Sequence, residues 1–335
     1  MTGGAVNTKQ DLSGKNYQEK IVTRNLTKYY GDLCAVDRMN ITVGNEIFGI
    51  LGPNGSGKTT TVMMLTTLLA PSSGTAEICG YDIHRHPQKV REMISYVPQD
   101  MAVDVRLTGW ENVMMYAQLY GVSDPAGKTR DALNVLELSD RADEFVRAYS
   151  GGMRRRLELA QALVHNPQVL FLDEPTVGLD VSARKKIWEH IRHLRNAGMS
   201  IFVTTHYMDE ADKFCDRVAI IDKGLIQAID TPDHLKRMIS HDIVTATISG
   251  IYTNLSVPGI QFVDRQGDEL LFYADNGERA LPLIKDALAE QGLIITSMSV
   301  RRPSLDDVFL HLVGNVEDSG PFNLSTFRNM LGRRG

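Results

Sequence analysis

The sequence predicts an α/β fold followed by a smaller α+β unit, and three features of its pattern carry that expectation. Two short, continuously apolar runs, Ile47-Phe48-Gly49-Ile50-Leu51 and Val169 to Leu172, read as strands covered on both faces, as parallel strands are. Strand-like runs alternate with segments of helical character over the first two thirds of the chain. Near Ser240 the pattern changes to strand, turn, strand, helix, strand and a short closing helix, ending at about Gly314.

Residues 1–19 are polar and rich in Gly, Asn, Lys and Gln, the composition of a mobile tail. Ile21 to Asn25 and Met39 to Val43 are short strand candidates, and Ile47 to Leu51 is a buried strand entering a glycine-rich loop. Helical character runs from Thr59 to Leu69 and stops at Ala70-Pro71-Ser72-Ser73-Gly74. A second helical region spans about Gly109 to Leu138, interrupted near Ser123-Asp124-Pro125. Ser182 to Asn196 reads as a helix and Ser200 to Thr204 as a strand. Val218 to Asp222 and Leu225 to Ile229 flank Lys223-Gly224 as a hairpin would. In the last unit the helix is expected over Arg279 to Gln291, and the polar stretch from Asn315 to Gly335 reads as a second tail. The expected organisation is a tail over 1–19, a first domain over 20–239, an accessory α+β domain over 240–314 and a tail over 315–335.

Composition narrows the function. The 335 residues are 43% apolar, enough for a substantial core, and the length favours two domains. With 36 basic against 41 acidic residues the net charge is -5, which gives no electrostatic ground for a nucleic-acid partner. No run approaches the roughly 18 apolar residues of a membrane-spanning helix. The N-terminus lacks the apolar segment of a secretory signal. A cytoplasmic chain is expected, with any membrane span supplied by another chain. Cys34, Cys79 and Cys215 stand apart without a CxxC pair, so they are read as small buried hydrophobes, not as a zinc site or disulfides.

Gly52-Pro53-Asn54-Gly55-Ser56-Gly57-Lys58-Thr59 matches G-x-x-x-x-G-K-[ST] between a predicted strand and a predicted helix, the context that gives this motif its meaning. Glycines let successive backbone N–H groups point inward as an anion nest, and the helix N-terminus adds its partial positive charge. Lys58 is expected to reach the β- and γ-phosphates, and the Thr59 hydroxyl to ligate Mg²⁺. Downstream, Asp173-Glu174 closes the apolar run from Val169. Asp173 suits Mg²⁺, a cation that prefers hard oxygen ligands, and Glu174 can deprotonate an attacking water. Adjacent carboxylates on a strand face opposite ways and so take different tasks.

Further motifs resemble those of ABC-transporter ATPases, in the same order. Tyr149-Ser150-Gly151-Gly152-Met153 resembles the family signature, with Tyr149 where leucine is usual. Gln99, in Tyr96-Val97-Pro98-Gln99, resembles the glutamine loop. Val177-Gly178-Leu179-Asp180 resembles the D-loop, His206 the switch histidine, and Tyr30 the aromatic that stacks on adenine, with Tyr29 its substitute. Singly, Gln99 is an ordinary surface glutamine and His206 an ordinary strand-end histidine. Their ordered co-occurrence over roughly residues 21 to 235 carries the resemblance. His84, His86, His190 and His193 belong to no such pattern and are read as solvated.

The resemblance implies a P-loop NTPase core with an inserted helical subdomain, acting as the ATP-hydrolysing subunit of a transporter. The implied nucleotide site comprises Tyr30, Gly52, Pro53, Asn54, Gly55, Ser56, Gly57, Lys58, Thr59, Thr60, Ser150, Gly151, Gly152 and Asp180. Mg²⁺ falls to Thr59, Gln99 and Asp173. Catalysis falls to Glu174 as base, His206 on the γ-phosphate, Lys58, and Gln99 as the link to the partner. Two copies are expected to pair head to tail around two ATP molecules, each phosphate loop facing the Ser150-Gly151-Gly152 of the other, beside separate permease subunits on the cytoplasmic face of the membrane. Arg301-Arg302-Pro303-Ser304-Leu305-Asp306-Asp307-Val308-Phe309-Leu310-His311-Leu312 is similar to the ending of daunorubicin/doxorubicin-resistance-type exporter cassettes. With Gly151-Gly152-Met153-Arg154-Arg155-Arg156 it points to export of drugs, lipids or polysaccharide. The alternatives are a non-transport ABC-type ATPase and a nucleotide-gated regulatory subunit. One phosphate loop, no long insertion between Thr59 and Tyr149, and intact Glu174 and His206 weigh against both.

Overall fold

The computed structural model describes residues 9–10, 16–17, 19–239, 242–250 and 257–314. The expected C-terminal tail lies outside the described residues, as does most of the N-terminal one, where β1 (Lys9–Gln10) pairs antiparallel with β2 (Asn16–Tyr17). The chain divides into two compact units, Met1–His206 with Lys213–Asp230, and Tyr207–Asp212 with Thr231–Gly335.

The first unit contains two further sheets. In chain order its strands are β3 (Ile21–Tyr30), β4 (Leu33–Met39), β5 (Thr42–Val43), β6 (Ile47–Leu51), β7 (Ser73–Ile78), β8 (Tyr81–Asp82), β9 (Ile94–Val97), β10 (Val169–Asp173), β11 (Ser200–Thr205), β12 (Arg217–Asp222) and β13 (Leu225–Asp230). β3, β4, β5, β7 and β8 form an antiparallel sheet. The other sheet has the order β13-β12-β6-β11-β10-β9 and is parallel except for β13. Every residue of β6, β10 and β11 is buried, which is why these strands are apolar without alternation. Phe202 makes tilted ring contacts with Phe48 and Phe171 in this core. The register aligns Asp173 with Thr204 and Leu51 with Thr205, so the three strands end on one edge. The segments starting at Gly52, Glu174 and His206 therefore leave the sheet side by side, where ligands bind in open α/β sheets.

The helices of this unit begin with α1 (Lys58–Leu65) and α2 (Pro87–Met93). α3 (Gly109–Leu119), α4 (Pro125–Val135) and α5 (Gly151–Leu163) pack together as the helical insert between β9 and β10, and α6 (Val181–Asn196) follows; α7 (Met208–Phe214) is divided, its residues 208–212 counting with the second unit. α1 stops earlier than the Leu69 expected, because Thr67 is left-handed (φ 63°) and the amides of Leu68 and Leu69 both turn back to the Met63 carbonyl. The expected break near Ser123-Asp124-Pro125 is present: Asp124 caps α4 and Pro125 occupies its first turn. Glu137 (φ 54°) prevents continuation to Leu138. The Lys223-Gly224 turn has positive φ at both residues (48° and 80°), the form that matches the twist of a hairpin.

Two expectations about side chains are corrected. His190 is not solvated: it lies on the inner face of α6 with Ile187, Ile191 and Leu194, and burial pushes its imidazole pKa down, whereas His193 is exposed. Their separation of three residues suggested one face, but the α6 interface reaches only as far round as His190. Among the cysteines only Cys215 is buried, and Cys34 and Cys79 are half-buried; all three are free thiols.

The second unit comprises α8 (Pro232–Arg237), β14 (Asp242–Ser249), β15 (Ile260–Gln266), β16 (Glu269–Ala274), α9 (Gly277–Glu290), β17 (Ile294–Arg301) and α10 (Leu305–Gly314). It has one strand more before the helix than the sequence pattern suggested, because Gly267 (φ 60°) turns β15 into β16. Its antiparallel sheet, β15-β16-β14-β17, carries Val244, Ala246, Ile248, Leu270 and Phe272 against Ala280, Ile284 and Leu288 of α9. The division between the units falls at Asp230, before the expected 239/240 boundary, because α8 belongs with α10 and Lys236 bonds Asp212 at 2.6 Å. Arg301 holds Asp307 with a fork of two bonds (2.5 and 2.8 Å), and Asp307 in turn accepts from the Ser304 amide (2.7 Å), which fixes the start of α10.

Candidate active site

The phosphate loop is shaped by glycines that have no substitute. A Cβ at Gly52 would lie 2.2 Å from the Ile221 carbonyl oxygen and 2.6 Å from Ser56 Oγ. Gly57 caps α1 at φ 104°, and a Cβ there would lie 2.3 Å from the Ala35 carbonyl oxygen. The Gly224 amide donates to the Ser56 carbonyl (3.0 Å), tying the loop to the β12–β13 turn. The first amides of α1 lack intrahelical acceptors, and beside them Thr59 is exposed and Thr60 half-buried. Ser56 Oγ is buried without a hydrogen-bond partner. Orphan donors around a helix N-terminus suit an anionic oxygen.

Lys58 folds its ammonium back over the loop. Nζ donates to the carbonyls of Gly52 (2.8 Å) and Pro53 (3.2 Å) and stands 3.3 Å from Glu174 Oε1. Both side chains are nearly sealed from solvent, at 6% and 5% exposure. Glu174 is completed by His206, whose Nδ1 bonds Oε2 at 2.7 Å.

Asp173 is buried at the end of β10, where the Thr204 hydroxyl donates to its Oδ1 and Tyr96 lies against it. Burial, with the Asp173 charge adding to it, pushes the Tyr96 phenol up to about 12. The two carboxylates do not diverge by strand alternation, as the sequence suggested. β10 ends at Asp173, and Glu174 adopts a left-handed conformation (φ 50°) with its amide bonded to the Thr204 carbonyl and hydroxyl, both at 3.1 Å. Such a conformation costs a non-glycine residue on the order of 1–3 kcal/mol and persists where the surroundings over-determine it.

Burial alone would raise the Glu174 carboxyl, but the His206 hydrogen bond and the Lys58 charge outweigh it and hold its pKa below the ordinary value. A lowered carboxyl contributes stability that is present above its unfolded value, about 4.3, and lost as the pH falls through its folded value. The stability advantage of the wild type over Glu174→Gln is therefore expected to shrink as the pH falls below about 4.3. Thermal unfolding of both proteins checks it; an advantage that persists undiminished to the acid limit of folding contradicts the arrangement.

The structure thus gathers Lys58, Asp173, Glu174 and His206. Gly52 and Pro53 adjoin it as carbonyl acceptors of Lys58. Tyr30 is exposed at the end of β3 with Lys28 Nζ 5.5 Å from its ring centroid, and Tyr29 is equally exposed. Gln99 is exposed just past β9. Ser150 and Asp180 cap their own helices, accepting from the Met153 amide (3.2 Å) and the Ala183 amide (2.9 Å). Gly152 meets a need within this chain, since a Cβ there would be 2.8 Å from that of Ala183. Tyr149 is a buried packing residue whose hydroxyl donates to the Arg141 carbonyl (2.6 Å). Thr204 and Tyr96 were not anticipated: their part depends on register between β9, β10 and β11, which no local motif reports.

A parallel sheet with a phosphate loop after one strand, a carboxylate pair after another and a histidine after a third defines a P-loop nucleoside triphosphatase. The profile of the ABC transporter family matches residues 36–177, and that of the C-terminal domain of DrrA1-3-like ATP-binding proteins matches residues 231–313. The chain is 38% identical over 304 residues to the daunorubicin resistance ATP-binding protein DrrA2 of Streptomyces coeruleorubidus, covering 87% of this chain and 94% of that one. It is 36% identical over 301 residues to the Nod factor export ATP-binding protein I of Ralstonia nicotianae, covering 86% and 92%. A solved dimeric ATP-binding cassette in a post-hydrolysis state with ADP and Pi superposes with a TM-score of 0.57 at 25% identity, covering 63% of this chain and 98% of the cassette. The chain belongs to the ABC transporter family, as an ATP-binding and ATP-hydrolysing subunit that energises transport. Among the described residues no helix is long and apolar enough to cross a membrane.

Proposed function

We propose that this chain is the motor of an exporter on the cytoplasmic face of the membrane, working as a head-to-tail pair beside separate permease subunits. The observation that carries the catalytic part is the buried Lys58–Glu174–His206 chain at the edge where β6, β10 and β11 end. Glu174, held ionised, accepts the proton of the attacking water. Lys58 offers its donors to the phosphate oxygens, and His206 orients Glu174 and contacts the γ-phosphate. Tyr30 stacks on the adenine, and Gly52 to Thr60 wrap the phosphates. Ser150, Gly151 and Gly152 of one copy close on the nucleotide held by the other, with Asp180 at the same seam. The paired cassettes of the post-hydrolysis structure support that arrangement.

The donor set fits Mg²⁺. Thr59, Asp173 and Gln99 offer hard oxygens, and no three His, Cys, Asp or Glu among the described residues form a metal cage of their own. That suits an ion bound largely through phosphate and water. When bound, Mg²⁺ neutralises charge developing on the phosphates.

The C-terminal unit and the relatives support the export of a drug, lipid or polysaccharide, since those relatives serve daunorubicin resistance and Nod factor export. The test is ATP turnover with and without Mg²⁺, by the purified protein alone and with a candidate permease in liposomes. Mg²⁺-dependent turnover altered by the permease is expected. Nucleotide binding without turnover in every condition would leave a regulatory subunit instead.

A further inference from the structure

Ser150 caps α5, and one turn further in the helix buries a charged pair that the reaction itself does not use. Arg155 and Glu158 are 4% and 3% exposed at their side chains and bond each other at 2.8 Å. The Arg155 guanidinium spends its remaining donors on backbone carbonyls. Nε donates to Pro175 (2.9 Å), Nη1 to Pro98 (2.7 Å) and Nη2 to Asp173 (3.2 Å). Glu158 Oε1 accepts from the Ala102 amide at 2.6 Å.

These acceptors and donors fall in a pattern. Asp173 and Pro175 flank Glu174 on either side. Pro98 precedes Gln99, and Ala102 closes the segment that carries it. One charged pair on α5 therefore holds both flanks of the general base and both ends of the glutamine segment. We propose that Arg155, supported by Glu158, is a positioning residue that fixes Glu174 and Gln99 to the helix opening at Ser150, so that movement of α5 or of the glutamine segment is felt at Glu174. The proposal rests on the roles given above to Glu174 and Gln99.

Burial of a charge pair is a poor device for packing alone, since apolar side chains of similar volume serve that end as well or better. What a guanidinium adds is a rigid planar fork that reaches several acceptors in fixed directions, which an ammonium cannot copy. The carbonyls it holds flank Glu174 and precede Gln99, so its effect acts through the placement of those two residues.

The test compares steady-state kcat and KM for ATP in the wild type, Arg155→Lys, Glu158→Gln and Glu174→Gln, with amide hydrogen exchange over residues 98–102 and 173–177. Arg155→Lys keeps the charge and loses the fork. It is expected to lower kcat by about 10- to 100-fold, the scale of an ångström-sized misplacement, with KM within about 3-fold. Glu158→Gln should lower kcat less and quicken exchange at Ala102. If Arg155→Lys does not fold, Glu158→Gln carries the same comparison. Wild-type kcat in folded Arg155→Lys, or a loss of thermal stability with unchanged turnover per folded molecule, overturns the proposal. Wild-type kcat in Glu174→Gln overturns instead the reading of Glu174, and with it the reason for holding its flanks.

Discussion

Glu174→Gln is expected to reduce steady-state ATP turnover by about 10²- to 10³-fold while ATP still binds, because the substitution removes the carboxylate proposed as general base. The glutamine amide has nearly the shape of the carboxylate, and its oxygen can still accept from His206. Lys58 keeps the Gly52 and Pro53 carbonyls as partners. The proton of the attacking water then has no carboxylate to receive it. Contacts to the γ-phosphate persist when it is not cleaved, so the variant should accumulate as an ATP-bound dimer, visible as a doubled mass by size exclusion with Mg²⁺ and ATP. Turnover within about 3-fold of the wild type would remove Glu174 from this role, and lost ATP binding would show that its charge serves the nucleotide site instead.

The parts of this site that were legible are those where chemistry is written into contiguous residues. The phosphate loop needs glycine at fixed places, and Gly52 and Gly57 show why: neither position has room for a Cβ. The strands behind the site were legible because burial on both faces leaves them no polar alternation. What stayed hidden depends on neighbours distant in sequence. Thr204 reaches Asp173 only because β10 and β11 pair in that register. The left-handed turn at Glu174, which swings its carboxylate to Lys58, has no glycine or asparagine to announce it. Arg155 looks like one of three consecutive arginines, yet it is buried while Arg156 reaches the Leu136 carbonyl from a half-buried position. His190 shows the same limit in reverse, since helical spacing placed it with His193 but packing separates them. The start of the second unit was displaced because α8 contains no break of its own; its side-chain partner, Asp212, lies far upstream.

Lys58→Ala is expected to have the largest combined effect, on binding and on the fold. Each charge-assisted hydrogen bond to a phosphate contributes about 1.5–3 kcal/mol, so losing two of them weakens ATP binding by at least about 10²-fold. The same truncation leaves Glu174 buried with its charge answered by His206 alone. Removing one partner of a buried ion pair costs about 3–5 kcal/mol, toward the low end here because His206 remains. This second effect is separable from the first. If the instability comes from the stranded carboxylate, then Lys58→Ala combined with Glu174→Gln should be more stable than Lys58→Ala alone, with a coupling of about 1–3 kcal/mol in a double-mutant cycle. Nucleotide affinity should not recover in the double variant, since the phosphate donors are still missing. Urea unfolding and ATP titration of the four proteins give both quantities. Additive stabilities would mean that Lys58 and Glu174 do not sense each other across their 3.3 Å, and the charge arrangement assigned to this site would fall with that result.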